Sequence, residues 1–286
     1  MTAGGESERL AVFERAGVPT ATRLADGRLC VAHQHFPEDN EIDFDKVAVH
    51  FSSDEGRTWT KAIVIRLKNF PEGMRFPFDP TLVPLSDGNV RLYFTSHRGG
   101  FDGGRPAIYS AVSRDAIEFT FEPGVRFGIE GRPVIDCAVA LHRGMFHLFS
   151  PDNGAGMQPR DPRNDDRDAS ERPKPGTGYH ATSKDGLDFT RQSDVQLGNR
   201  RVWLGNVQSD GDVLRFFGTG GPGGGWVATS ANAETWTVQE DFGPLPGADP
   251  GAVKLKDGSW LVAGTTPPRP GTPSAQRRGP PPGPPR

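Results

Sequence analysis

The octapeptide Ser-Ser-Asp-Glu-Gly-Arg-Thr-Trp at residues 52–59 recurs in weakened form three more times, and this repetition restricts the fold more than any overall property of the chain. Residues 113–119 keep the Ser, the Asp two positions on and the closing aromatic. Residues 183–189 add a Gly after Asp185, and residues 230–236 keep Thr-Trp with Asn232 at the Asp position. Small side chains such as Ser52 and Asp54 bond the amides of a tight turn, Gly56 takes a positive φ, and Trp59 re-enters a strand with a ring to bury. The motif reads as a hairpin clip. Trp59, Phe119, Phe189 and Trp236 are expected to be buried between sheets at equivalent places.

A second repeat alternates with the clips. Strand-like segments broken by a turn glycine lie at residues 20–34 around Asp26-Gly27, 80–97 around Asp87-Gly88, 137–150 around Arg143-Gly144, 206–219 around Asp210-Gly211 and 251–265 around Asp257-Gly258. These are five two-strand hairpins. Their turn glycines are 61, 56, 67 and 47 residues apart, the length of one four-stranded blade with its loops. The expectation is an all-β, five-bladed β-propeller with four-stranded antiparallel blades. Only 28 residues follow Gly258 and they end in a Pro-rich run, so the fifth blade lacks its outer pair. The short apolar run at residues 10–14 is the natural donor, and the last blade is expected to be closed by this N-terminal strand. The domain is drawn at residues 7–268, with residues 269–286 as a disordered tail rich in Pro and Gly. Residues 151–178, rich in Asp, Arg, Pro and Gly, read as an excursion from blade three.

Composition agrees with many turns: 37 Gly and 27 Pro among 286 residues. A net charge of −3 with interspersed signs gives neither a basic stripe nor an acidic tail, so nucleic acid and membrane surfaces are not expected partners. The expected partner is a carbohydrate or other small molecule, met by a monomer. Cys30 and Cys137 sit among apolar neighbours and read as small buried hydrophobes. The chain as given shows no apolar signal core and no span of 18 apolar residues. It is expected to be soluble: secreted or periplasmic if a signal was removed, otherwise cytoplasmic.

If the Asp-Gly turns and the clips share one face, the starts of first strands and the ends of second strands share the other. First strands begin Phe78-Asp79-Pro80, Ile135-Asp136-Cys137 and Ala248-Asp249-Pro250, so three blades of five place a carboxylate at the channel rim. Second strands end His33-Gln34-His35, Ser96-His97-Arg98 and Ser150-Pro151-Asp152. Carboxylates converging with His and Arg are what acid, base and anion-binding work requires. Asp79, Asp136 and Asp249 are the candidate catalytic groups. His33, His35, Arg75, His97, Arg98 and His180 are the candidates for holding substrate, whereas His142 and His147 read as structural. No cofactor is established, and a divalent metal ion on His33, His35 and His97 with an Asp stays open, because two histidines two apart on a strand share a face.

The clips resemble the Asp-box, or bacterial neuraminidase repeat, of sialidase-like β-propellers. That resemblance implies an Arg-Ile-Pro on the first strand and a late Tyr nucleophile for sialidase chemistry. Gly17-Val18-Pro19 stands at the first place and the last tyrosine is Tyr179, so a true sialidase is not expected. The blade count, with Val134-Ile135-Asp136, the Gly144 turn and Phe146-His147-Leu148-Phe149, resembles the five-bladed arabinanase and fructosidase clan. There three acids on neighbouring inner strands serve as nucleophile or base, pKa modulator and acid. By that resemblance Asp136 matches the modulator. The clan's first-blade acid has no counterpart at Pro19-Thr20, and no Glu stands for its acid. The expected function is glycoside processing in the central channel. A non-catalytic glycan- or protein-binding propeller is the alternative, and a lyase stays open.

Overall fold

Each Asp-Gly or Arg-Gly turn folds as its chemistry dictates. Gly27, Gly88, Gly144, Gly211 and Gly258 all take a positive φ, between 59 and 88°, which a residue with a Cβ adopts only at a cost. Each therefore closes a two-strand hairpin. The computed structural model describes residues 8–99, 104–155, 172–198, 201–220, 224–240, 242, 245 and 248–266. Within them every regular element is a strand.

The strands run in chain order as β1 (Glu8–Glu14), then β2 (Ala16–Arg23), β3 (Leu29–His35), β4 (Lys46–Ser52) and β5 (Ile63–Val64), which form blade one. Blade two follows as β6 (Arg66–Lys68), β7 (Phe78–Pro84), β8 (Val90–Ser96), β9 (Ala107–Ser113) and β10 (Glu118–Phe127). Blade three is β11 (Ala138–His142), β12 (Met145–Pro151), β13 (Thr177–Ser183), β14 (Thr190–Arg191) and β15 (Val195–Gln196). Blade four is β16 (Arg201–Asp210), β17 (Val213–Gly220), β18 (Gly225–Ser230) and β19 (Thr237–Val238). Blade five pairs β20 (Gly251–Lys254) with β21 (Trp260–Thr266), and β21 with β1.

The fold is thus an all-β five-bladed propeller, closed as the sequence suggests. Three details differ from uniform four-stranded antiparallel blades, the first being a fifth strand in blade three, where β15 pairs with β13 beside β14. The closing strand β1 runs parallel to β21, with Leu10 opposite Val262, so the described part of blade five has three strands. Blade two has five, because β6 leaves blade one and pairs parallel to the outer strand β10. Residues 156–171 of the expected excursion and the whole of the 269–286 tail lie outside the described residues.

Burial follows the ring. Five separate apolar clusters fill the five wedges between neighbouring blades. Burial of this kind is the main favourable term in folding. The clips seal the wedges from one side. In each, the Ser hydroxyl and the Asp or Asn side chain bond one another and cap amides of the turn: Asp54 Oδ1 accepts from the Arg57 and Thr58 amides, Asp115 Oδ1 from those of Ile117 and Glu118, Asp185 Oδ1 from those of Leu187 and Asp188, and Asn232 Oδ1 from those of Glu234 and Thr235. Their aromatics sit at equivalent places against successive clusters. Phe119 and Trp236 are buried, but Trp59 and Phe189 are only half-buried, each packed on its cluster from the rim. Both cysteines are buried and unbridged, as the sequence reading holds.

Candidate functional site

The start of every inner strand carries a residue with positive φ. Val18, Asp79, Asp136 and Asp249 occupy corresponding positions in four blades and have positive φ; in blade four the positive φ falls on Gly205, which already pairs with Gly218. The ladder slips there in blades one, two and four, between Gly17 and Thr20, Phe78 and Thr81, and Val202 and Gly205. Bulges of this kind re-aim a side chain out of the strand's alternation. Asp tolerates the left-handed region better than most residues, whereas a β-branched residue such as Val18 is strained there. Three blades of five therefore carry an acid with positive φ at the start of the inner strand, on one ring at the channel mouth.

Neighbouring hydroxyls hold these strained peptides. Thr95 Oγ1 accepts the Asp136 amide at 2.8 Å, and Ser150 Oγ donates to the Asp136 carbonyl at 2.7 Å. Thr219 Oγ1 accepts the Asp249 amide at 2.7 Å and lies 3.1 Å from its carboxyl Oδ1. The Thr95 hydroxyl also bonds the Asp79 carboxylate.

The three carboxyls sense one another. Burial, then the charge of Asp249, raises the Asp79 pKa to about 7, against the pull of Thr95 and Arg75. Burial, followed by Asp79 and Asp249, raises Asp136 well above its ordinary value. Asp249 is raised by burial and eased by its bond from Thr219. Such a group cannot ionise as three independent acids; it shares protons as a unit.

Around Asp79 the structure brings together Arg75, which pairs with Asp45 and lies 4.2 Å over the Phe78 ring. The Arg75 amide donates to the His97 carbonyl at 3.0 Å, and the buried His97 ring meets Phe78 edge-on at 6.3 Å. Gln34 Nε2 donates to Asp45 Oδ1 at 2.8 Å. From blade three, Arg132 pairs with Asp152 at 2.9 Å and approaches the Tyr179 hydroxyl at 3.3 Å; burial and Asp152 raise the Tyr179 pKa to about 12.

The other candidates sit elsewhere. Arg98 is exposed and its backbone bridges to Met74. His33 and His35 lie on β3, where His33 meets Phe13 of the closing strand and His50 of β4. Burial lowers the His33 pKa to about 3. His180 is buried between blades three and four, stacked 4.7 Å from Phe149 and paired with His147. Strand alternation sends these rings into the wedges. Among the described residues no three His, Cys, Asp or Glu side chains are grouped to hold a metal ion, so the trio of His33, His35 and His97 is not assembled.

Sequence reasoning missed Asp45, Gln34, Thr95, Ser150, Thr219 and Arg132. Asp45 is one of several acids in the polar run 38–45, with nothing to single it out. The hydroxyls of Thr95 and Thr219 at the ends of β8 and β17 do share a strand position next to the bulge, a signal visible once the blades are aligned.

Below the acids a polar ladder crosses the channel. Asn206 Nδ2 donates to Thr20 Oγ1 at 3.2 Å and its Oδ1 accepts the Ala252 amide at 3.0 Å, while Gln208 Nε2 reaches the Ala21 carbonyl at 3.1 Å. The opposite end opens into a cavity of about 320 Å³ lined by the inner strands, including Thr22, Gln208, Ser209 and Lys254.

No family model and no curated protein matches the sequence. Solved structures do match in fold. A GH43_1 enzyme from Xanthomonas citri, complexed with xylotriose, superposes with a TM-score of 0.62 at 19% identity over 87% of this chain and 81% of that one. The Bacteroides ovatus xyloglucan-locus protein GH43B gives a TM-score of 0.59 at 17% identity over 86% of this chain. The Bombyx mori GH32 β-fructofuranosidase BmSUC1 gives 0.58 at 13% identity over 84%. The chain spans about half the length of the last two, 47% and 53%. These neighbours share the five-bladed propeller of the arabinanase and fructosidase clan.

Proposed function

We propose that the chain is a glycoside-processing enzyme whose reaction centre is the ring of Asp79, Asp136 and Asp249 at the channel mouth. The observation that carries this reading is the raised, mutually dependent titration of three acids with positive φ at equivalent strand starts. Glycoside chemistry needs one carboxyl protonated to assist the leaving oxygen and one ionised to act as nucleophile or base. Asp136, raised by burial and by both other acids, serves as acid or as modulator of its neighbours. Asp249, whose ionised form the Thr219 hydroxyl favours, takes the base or nucleophile role. Asp79 stands between them. Arg75 and His97 border this centre and bind the sugar, with Arg98 further out on the rim. The clan resemblance, and the glycosidases among proteins of the same fold, support a carbohydrate substrate. The four clips fit the Asp-box as turn architecture, without the arginine set of sialidase chemistry. The propeller is proposed as one domain over residues 7–268.

One observation favours the non-catalytic alternative: Val18 stands in blade one where the acids stand in blades two, three and five, so the first blade offers no acid there. A panel of aryl furanosides and pyranosides, with a sialoside included, separates the readings. Turnover of any furanoside or pyranoside that vanishes in Asp136→Asn supports the enzyme. Binding of a glycan without turnover, unchanged in the three Asp→Asn variants, overturns it.

A further inference from the structure

The seam between β1 and blade one holds a histidine pair whose hydrogen bonding leaves a specific electrostatic gap. The rings of His33 and His50 stack with centroids 5.0 Å apart, and Phe13 of β1 lies 6.0 Å from the first and 4.8 Å from the second. Each ring commits its Nδ1 to a backbone carbonyl, His33 to Gln34 at 2.7 Å and His50 to Thr60 at 2.7 Å. A carbonyl only accepts, so both Nδ1 atoms carry hydrogen. In neutral imidazoles both Nε2 atoms then present lone pairs. Yet the two Nε2 atoms face each other at 3.0 Å. Two lone pairs held at that distance repel unless a cation joins them.

The second histidine pair lacks this constraint. His147 Nδ1 lies 3.2 Å from His180 Nε2, and His180 Nδ1 has no hydrogen-bond partner among the described residues, so one ordinary N–H···N bond satisfies the pair. Only the pair at the seam has both donors spent elsewhere.

We propose that His33 and His50 form a two-histidine site for a borderline divalent transition-metal ion, bound through both Nε2 atoms with water completing its coordination. Imidazole nitrogen suits copper, nickel and zinc. An Nδ1–H donated to a carbonyl is the support that commonly fixes a metal-bound histidine's tautomer and orientation. With metal–nitrogen bonds of about 2.0–2.1 Å, a 3.0 Å separation corresponds to a ligand angle of roughly 95°, nearer the right angle of tetragonal copper(II) or nickel(II) than the tetrahedral angle of zinc. His50 is only partly buried, which gives an ion a way in. His35, with its ring 5.8 Å from that of His33 and its Nδ1 unpartnered among the described residues, adds a polar neighbour for a metal-bound water. The site lies under the closing strand, so its role is to brace the ring, independent of the chemistry at the channel mouth.

The test uses the untagged full chain, stripped with chelator and titrated separately with copper(II), nickel(II) and zinc(II) in a calorimeter. One equivalent should bind, with copper or nickel ahead of zinc, and the melting midpoint should rise. His50→Gln should bind at least tenfold more weakly, whereas His147→Gln should match the wild type. Equal binding by wild type and His50→Gln overturns the proposal. So does a wild type that binds none of the three ions while nitrogen NMR shows an imidazolium proton shared by the two rings. If His50→Gln fails to fold, nitrogen hyperfine structure of the wild-type copper complex decides: two imidazole nitrogens support the site, and one or none overturns it.

Discussion

Thr95 and Asp136 are joined across a blade boundary: the hydroxyl at the end of β8 accepts the amide of the strained mouth residue of blade three at 2.8 Å. The same hydroxyl bonds Asp79, so one side chain positions two of the three acids. Thr95→Val keeps the shape but leaves a buried amide without its acceptor, which typically costs about 1–3 kcal/mol. Denaturant unfolding should show that loss, and Thr95→Ser should recover most of it. A fully stable valine variant would show that the contact positions nothing.

The three acids are expected to behave as repelling charges rather than as caps. Asp79→Asn, Asp136→Asn and Asp249→Asn should each melt at or slightly above the wild-type temperature, because removing a strained or repelling functional group commonly stabilises. Turnover of the true substrate should fall by about two orders of magnitude or more, the scale for losing an acid or base. Three clearly lowered midpoints would instead assign the side chains to structural hydrogen bonding.

Stability should also depend on pH in a definite direction. Asp79 titrates from an ordinary value of 3.8 up to about 7 in the folded chain. The native state therefore keeps a proton that the unfolded chain gives up. Its contribution to stability is fully present below 3.8 and is lost as the pH rises through about 7. Asp136 and Asp249 are shifted the same way. Melting midpoints of the wild type should fall as the pH rises from about 4 to about 7, and Asp79→Asn should flatten that slope.

Two glycines with similar φ separate backbone strain from close approach. Gly186 in the third clip (φ +74) would drive an added Cβ into Arg91 Nη1 and place it 2.6 Å from the Tyr93 hydroxyl. Those groups hold the Asp185 and Gly186 carbonyls at 2.7 and 2.8 Å and so dock the clip on blade two. Gly27 (φ +88) has nothing within 4 Å. Gly27→Ala should cost about 1 kcal/mol, the left-handed penalty alone. Gly186→Ala should cost at least twice as much by equilibrium unfolding, and equal costs would contradict the docking.

The architecture was legible because it is written in backbone chemistry. Gly27, Gly88, Gly144, Gly211 and Gly258 count the hairpins directly, and Ser52, Ser113, Ser183 and Ser230 mark the clips between them. Asp79, Asp136 and Asp249 stood out by their equivalent positions at the first strands. Thr95 and Asp45 did not, because their importance arises from contacts between blades that a linear pattern does not contain. The direction in which His33 and His180 point was hidden for a related reason: alternation puts two histidines on one face of a sheet without saying which wedge that face enters. Whether a clip aromatic is covered, as Phe119 is, or left half-open, as Trp59 is, depends on the neighbouring blade's surface.

The parallel seam of β1 on β21 also sets a timetable. Leu10 pairs with Val262, so a segment made at the start of this stretch waits for a partner made at its end. At about 5–20 residues per second, the interval on the ribosome is roughly 10–50 s. For that time the nascent chain carries an unpaired strand whose Leu10 and Val12 remain exposed even in the finished protein. Blades one to four can each complete their sheets as they emerge, but ring closure must wait until β21 has left the ribosome.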